Sequence, residues 1–290
     1  MSPGTTKDMK TTLELLELTE SYLRDKQISS PKVEAQWLLA QVLKMDRLQL
    51  YTDAHKPVTE SEVKKLRAAL KRRGAREPLQ YIIGETDFFN LTLKVTPDVL
   101  IPRPETEVLV EKILQAIPED SNKVFWDICS GSGAIGLSVK KARPNLKVVL
   151  SDISNKALAV AKENAKINEL EVEFLEGDLF FPFSERRTDF IASNPPYVSE
   201  KDYLTLEPEV REFEPKLALV GRDDGWEFYK RFEKECRSHL NPEAMIWLEL
   251  GPENTKSLFE NPFWEAIKEE VDYAGHSRYL TARQNPLNFK

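Results

Sequence analysis

From about residue 124 onward the chain alternates short apolar runs with longer amphipathic stretches, and few folds accommodate that rhythm. Residues 124–129, 146–150, 172–175, 190–193, 245–250 and 278–282 read as strands. Residues 134–139, 157–167, 226–240 and 263–269 read as helices. Buried strands separated by helices require a mainly parallel sheet covered on both faces, so the class is α/β. Ligands of such sheets bind outside the carboxyl ends of the strands, so the residues after each apolar run matter most.

The fourth run ends in Ser193-Asn194-Pro195-Pro196-Tyr197. Two prolines cannot continue a sheet, because neither has an N–H and both fix φ. Asn194, just before a proline, is held out of helical geometry. The result is a stiff loop offering an amide, two proline carbonyls and an aromatic ring. It suits a planar group bearing NH2, such as a carboxamide or an amino-purine. A plain strand-ending turn with a packed tyrosine would use the same residues.

The first run is followed by Ser130-Gly131-Ser132-Gly133, with Gly136 inside the next turn. Glycine lets backbone approach a ligand closely. Asp127 precedes these glycines, and Asp152 ends the second strand 21 residues after Gly131, where a carboxylate can accept from both ribose hydroxyls. Gly131, Gly133 and Gly136 partly satisfy a dinucleotide fingerprint, which leaves hydride transfer open. After the third run come Gly177, Asp178 and Leu179, an acid for the exocyclic amine of adenine with an apolar neighbour, or simply an acidic turn. All four features fall on one edge of one sheet.

The first third reads as a helical bundle, residues 1–84. Leu15, Leu16, Leu18, Tyr22 and Leu23 recur at helical spacing. Ser30-Pro31 reads as an N-cap and first-turn proline, followed by an apolar side of Val33, Trp37, Leu38, Val42 and Leu43. Thr59 and Glu62 form a capping box. The helix they open sets Val63, Leu66 and Leu70 against Lys64, Lys65, Arg67, Lys71, Arg72 and Arg73, so residues 63–73 carry a basic side. That side is a solvated face or a docking surface for an acidic or RNA-bearing partner. Residues 85–104 read as a hairpin-like linker, alternating from Phe88 to Val95 and ended by Pro97 and Ile101-Pro102-Arg103-Pro104. The larger part is residues 105–290, opening on a helix that carries Val108, Leu109, Val110, Ile113 and Leu114.

No apolar run approaches the ~20 residues needed to span a membrane, and residues 1–10 are polar without a signal-peptide core. Cys129 and Cys236 are too few for a disulfide framework, and with His55, His239 and His276 they show no metal-ligand spacing. A cytoplasmic protein without a metal is expected. Residues 1–84 hold 15 basic and 11 acidic side chains, residues 85–290 hold 26 and 37. An acidic larger part argues against a wide phosphate-binding face, and stable nucleic-acid binding is not expected.

The order of glycine loop, acid, Gly-Asp and Asn-Pro-Pro-Tyr resembles the class I S-adenosylmethionine-dependent methyltransferases, in the branch acting on planar nitrogens. Further stretches resemble the HemK/PrmC release factor glutamine methyltransferases: Arg73 through Gly84, Phe88-Phe89, Leu100 through Glu107, Val210 through Pro215, Ala218-Leu219, and Asp272, Gly275 and Arg278. The resemblance covers nearly the whole chain. It implies a Rossmann-like, seven-stranded, mostly parallel sheet behind a small helical substrate-recognition domain. It implies S-adenosyl-L-methionine as cofactor, S-adenosyl-L-homocysteine as product, and the N5 amide of the Gly-Gly-Gln glutamine of peptide chain release factors as acceptor. Asp127, Cys129, Ser130, Gly131, Ser132 and Gly133 would wrap the cofactor. Asp152 would hold its ribose, and Asp178 and Leu179 would flank its adenine. Asn194, Pro195, Pro196 and Tyr197 would hold the glutamine, with Asn194 also near the cofactor and Tyr197 packed on the amide plane. Asn194, Pro195 and Tyr197 would be the catalytic set, in a monomer. Cys129 stands where the family usually has glycine, and Leu179 where some members have an aromatic. The alternatives are a ribosomal-protein glutamine methyltransferase, a DNA or RNA amino-group methyltransferase, and a non-catalytic cofactor-binding protein.

Overall fold

A computed structural model describes residues 9–251, 253–272 and 274–288, so the polar start noted above lies outside it except for Met9 and Lys10. The chain forms two compact units that divide between Gly84 and Glu85.

The first unit holds α1 (Thr12–Asp25), α2 (Pro31–Leu43), α3 (Gln49–Thr52), α4 (Glu60–Gly74) and α5 (Leu79–Ile83). Thr59 and Glu62 close the expected capping box on α4, and Thr11 with Glu14 closes another on α1. Leu15, Leu23, Leu38, Leu39, Leu50 and Leu66 make the core. Leu18, Val33 and Trp37, expected inside, are exposed. The face that α2 buries carries Ala35, Leu38 and Leu39. Trp37 instead lies under the Arg47 guanidinium, 5.0 Å from its ring centre. Ser30 makes no side-chain cap, and Pro31 alone opens α2. Arg73 is not part of a solvated basic face: it is 5% exposed and pairs with Glu34 of α2 at 2.5 Å.

The second unit opens with a hairpin, β1 (Glu85–Phe88) and β2 (Leu91–Lys94). Then come α6 (Pro104–Ala116), β3 (Val124–Ile128), α7 (Ala134–Ala142), β4 (Lys147–Asp152), α8 (Asn155–Ile167), β5 (Glu173–Glu176) and β6 (Thr188–Ser193). After α9 (Glu200–Tyr203), α10 (Pro208–Phe213), α11 (Lys216–Leu219) and α12 (Trp226–Cys236) follow β7 (Leu240–Glu249), β8 (Trp264–Val271) and β9 (Ser277–Gln284). The hairpin packs on α8, where the buried Asn164 side chain bonds both the N–H and the carbonyl of Lys94, at 2.6 and 3.0 Å.

The seven strands run in the order β5-β4-β3-β6-β7-β9-β8. All pairs from β5 to β7 are parallel, and β9 runs antiparallel to both of its neighbours. Progression outward reverses between β3 and β6, which makes that junction the topological switch point where α/β sheets bind ligands. One core cluster includes α6 and α7 residues and the other α12 residues, each packed with strand residues of the sheet.

The stretch 263–269, expected helical, is strand β8. Trp264 and Ile267 sit three apart, as on a helix, and both pack on the second core cluster. A bulge reconciles this with a strand. The register to β9 slips between Glu265 and Lys268, with Ala266 at φ 50°, and the extra residue turns both side chains to one face. The helix expected to reach residue 240 ends at Cys236, with one 3-10 turn (Arg237–His239) before β7.

Candidate active site

A cleft of about 320 Å³ opens over the carboxyl ends of β3, β4 and β6. Its size is within the usual range for small-molecule sites.

One end is made of backbone. Directly after β3, Cys129, Gly131 and Gly133 take φ of 60°, 54° and 85°, three left-handed residues in a row of five. The chain therefore doubles back and turns amide hydrogens inward. Ser130 N–H donates to the Ser151 carbonyl at 3.0 Å, and Gly131 N–H donates to Asp152 Oδ2 at 2.8 Å. Asp152 Oδ1 accepts from Ser154 N–H at 2.9 Å. A Cβ on Gly131 would meet no heavy atom within 4 Å, so that residue faces open cleft. Burial holds the Asp152 carboxyl above its ordinary range, against the pull of the Ser154 and Gly131 amides. Cys129 is a non-glycine in the glycine-favouring region, a backbone position that carries strain which glycine would relieve. Burial also raises its thiol.

Asp178 and Leu179 line the cleft beyond Asp152. Leu179 is another left-handed residue, at φ 46°. Asp178 is paired at 2.9 Å with Arg231 of α12, which also lines the cleft and which no sequence motif singles out.

The other end is made of side chains. Asn194 lines the cleft together with Pro196 and Thr106 of α6. Asn194 Nδ2 donates to Thr106 Oγ1 at 3.0 Å, and Thr106 donates to Glu249 Oε2 at 2.8 Å. Glu249, at the end of β7, is 2% exposed. Burial raises its carboxyl, and the Thr106 hydroxyl, the Arg278 charge and Tyr197 pull it back. Tyr197 donates to Glu249 Oε1 at 3.2 Å and receives Arg278 Nη1 at 3.2 Å. No hydrogen bond engages Asn194 Oδ1 or the Pro195 carbonyl among the described residues. The wall is braced by Glu214, which accepts Ile101 N–H at 3.1 Å and Arg103 at 2.6 Å. Two segments matched by resemblance, around Pro102 and Pro215, are thereby tied together.

The structure brings Cys129 through Ser132, Asp152, Asp178, Leu179, Asn194 and Pro196 to one cleft. Four expected site residues stand behind it. Gly133 packs on Leu137 and Leu150. Asp127 is 1% exposed and accepts Gly136 N–H at 2.8 Å. Burial pushes its carboxyl up to about 7, eased by that amide and aggravated by the Asp152 charge. Pro195 is buried, and Tyr197 sets its ring so close to Gly251 that a Cβ there would lie 2.4 Å from it. Glu249 was missed although a signal existed, a lone carboxylate within the apolar run from Met245 to Leu250.

Residues 14–84 match the family described as PrmC N-terminal domain, and residues 104–209 match the Methyltransferase small domain. A release factor glutamine methyltransferase of Geobacter sulfurreducens is 41% identical over 82% of this chain and 83% of its own. One from Chlamydia trachomatis serovar L2 is 42% identical over 92% of each chain. Among solved structures, a methyltransferase from Pyrococcus furiosus superposes with TM-score 0.51 at 20% identity, over 68% of this chain and 89% of that one. The T. thermophilus 16S rRNA N2 G1207 methyltransferase RsmC, in complex with AdoMet and guanosine, gives 0.54 at 19%, over 69% and 50%. These structures share the class I methyltransferase fold with this chain.

Proposed function

The chain belongs to the release factor glutamine methyltransferases, and from that premise we propose the reaction its cleft performs. A methyl group passes from S-adenosyl-L-methionine to the side-chain N5 of the glutamine in the Gly-Gly-Gln motif of a peptide chain release factor. S-adenosyl-L-homocysteine is the other product. The observation that carries this is the Asn194 amide: one N–H of its nitrogen is taken by Thr106, and its oxygen is left for a donor in the cleft.

The residues present fit the cofactor. Gly131 leaves open space where a Cβ would stand, the Asp152 carboxylate ends β4 where ribose hydroxyls can donate to it, and Asp178 can accept an adenine amine. When bound, S-adenosyl-L-methionine supplies an electrophilic methyl on a positively charged sulfur. The chain's task is to present a poor nucleophile, since an amide lone pair is delocalised into its carbonyl. Asn194 Oδ1 accepts one N–H of the substrate amide. That contact strengthens as the nitrogen gains positive charge, so it favours the transition state over the ground state. Positioning of this kind supplies at most ~7–11 kcal/mol. The neutral N-methyl amide follows on loss of one N–H proton to solvent water. Tyr197, held from behind by Glu249, Arg278 and Gly251, stiffens the loop. The first unit recognises the substrate, and the enzyme works as a cytoplasmic monomer without stable nucleic-acid binding.

Labelled cofactor, incubated separately with release factor, ribosomal protein and DNA, tests this. Label on the release factor alone, mapped by peptide mass to the Gly-Gly-Gln glutamine, is the expected result. Label confined to ribosomal protein or to DNA refutes the assignment.

A further inference from the structure

We propose that Glu249 and Thr106 set the direction of the Asn194 amide, making this site an acceptor of N–H groups. This rests on the methyl-transfer reading above and adds two positioning residues to it.

Asn is ambivalent: either end of its amide can face a ligand. A threonine hydroxyl does not choose between them, because it can donate to the amide oxygen or accept from the amide nitrogen. The choice is made one bond further back. Glu249 is a carboxylate buried in the otherwise apolar run from Met245 to Leu250, and an ionised carboxylate only accepts. Thr106 has one hydroxyl hydrogen, and it is spent on Glu249 Oε2 at 2.8 Å. Only the lone pairs of Thr106 Oγ1 remain, and these take Asn194 Nδ2–H at 3.0 Å. Asn194 Oδ1 must then face the cleft. Reversing the amide would set two acceptors, Asn194 Oδ1 and Thr106 Oγ1, against each other.

Both Glu249 oxygens act as acceptors, Oε2 from Thr106 and Oε1 from Tyr197, and three further elements hold the side chain in place. Tyr197 donates to Oε1 at 3.2 Å, with Arg278 of β9 donating to the same phenol at 3.2 Å. Tyr229 of α12 donates to the Glu249 backbone carbonyl at 2.7 Å. The relay therefore joins α6, β7, β9 and α12 to the tetrapeptide loop. It selects against substrates that present only oxygen, such as glutamate in place of glutamine, because two acceptors would then meet unpaired.

The test is single-turnover methylation of release factor with labelled cofactor, using Thr106→Val, Thr106→Ser, Glu249→Gln and the double variant T106V/E249Q. Valine keeps the shape and removes the hydroxyl, serine keeps the hydroxyl, and Glu249→Gln removes the one-way acceptor while keeping its size. Thr106→Val and Glu249→Gln should each lower the rate by about 10- to 100-fold. Cofactor Kd should stay within about twofold. Thr106→Ser should restore most of the rate. The double variant should be no slower than the worse single one, because the two residues act in series. Wild-type rates in Thr106→Val, no rescue by serine, or multiplied losses in the double variant would each overturn the relay. Should Glu249→Gln fail to fold, the valine and serine pair still decides. Side-chain 15N spectra give a readout that needs no acceptor: Asn194 amide protons should exchange slowly in wild type and Thr106→Ser, and rapidly in Thr106→Val. If the wild type labels a different acceptor, the release-factor assignment fails, and the same variants on that acceptor still judge the relay.

Discussion

The two ends of the cleft are built by opposite means. The end proposed to hold the cofactor is a backbone cradle. Cys129, Gly131 and Gly133 reach it through left-handed φ, and its inward amides are taken up locally, by Ser151 and Asp152. The end proposed to hold the acceptor is a chain of side-chain hydrogen bonds running from Asn194 through Thr106 to Glu249, with Tyr197 and Arg278 behind. The cradle draws on about 25 consecutive residues, whereas the relay gathers groups from residue 106 to residue 278. A cradle of this kind resists changes of Cβ geometry along its backbone. A relay fails on the loss of one hydrogen, one lone pair or the alignment of its groups.

That contrast can be broken first at Asn194. Asn194→Ala should reduce single-turnover methylation by about 10²- to 10³-fold, the usual effect of losing a transition-state hydrogen bond. Cofactor titration should stay near wild type, and equal losses in rate and in affinity would mean that the ends are not separate. The converse is Asp152→Asn. It keeps an oxygen for Gly131 N–H and removes the charge that would hold ribose hydroxyls. Cofactor Kd should rise about 10- to 100-fold, equivalent to ~1.5–3 kcal/mol, with turnover at saturation largely kept.

Gly251→Ala probes the relay without touching a polar atom. A Cβ there would lie 2.4 Å from the Tyr197 ring, so the ring and its loop must shift. Turnover should fall about tenfold, with cofactor affinity unaffected, in the same assays. Cys129→Val probes the cradle. A β-branched residue at φ 60° should destabilise the fold by ~1–2 kcal/mol, read by urea unfolding, while Cys129→Gly relieves the strain and keeps cofactor binding.

The least visible effect concerns Asp127, since many other carboxylates titrate nearby. Its carboxyl is pushed from an ordinary 3.8 up to about 7. Between those values the folded state holds a proton that the unfolded chain has shed. Stability attributable to this group is therefore full at the acid side, falls as pH rises through the window, and is constant above it. Melting temperatures measured across that window should fall less steeply in Asp127→Asn than in wild type.

Chain order and residue type determined much of this by themselves. Strand-helix alternation implied a parallel sheet, glycine spacing implied a tight loop after β3, and Asn194-Pro195-Pro196 implied a stiff end to β6. These are short-range consequences of backbone sterics, so they are legible locally. Tertiary structure decided the rest. It turned Trp37 outward and Arg73 inward, because helix packing picks a face by fit as well as by apolarity. It made residues 264–271 an edge strand, because a bulge gave Trp264 and Ile267 one face. It moved Asp127 and Tyr197 behind the cleft wall and brought Thr106, Arg231, Glu249 and Arg278 to their partners. Hydrogen bonds between residues 88 or 143 positions apart leave no periodic trace in a sequence, and only the closed sheet sets their lengths.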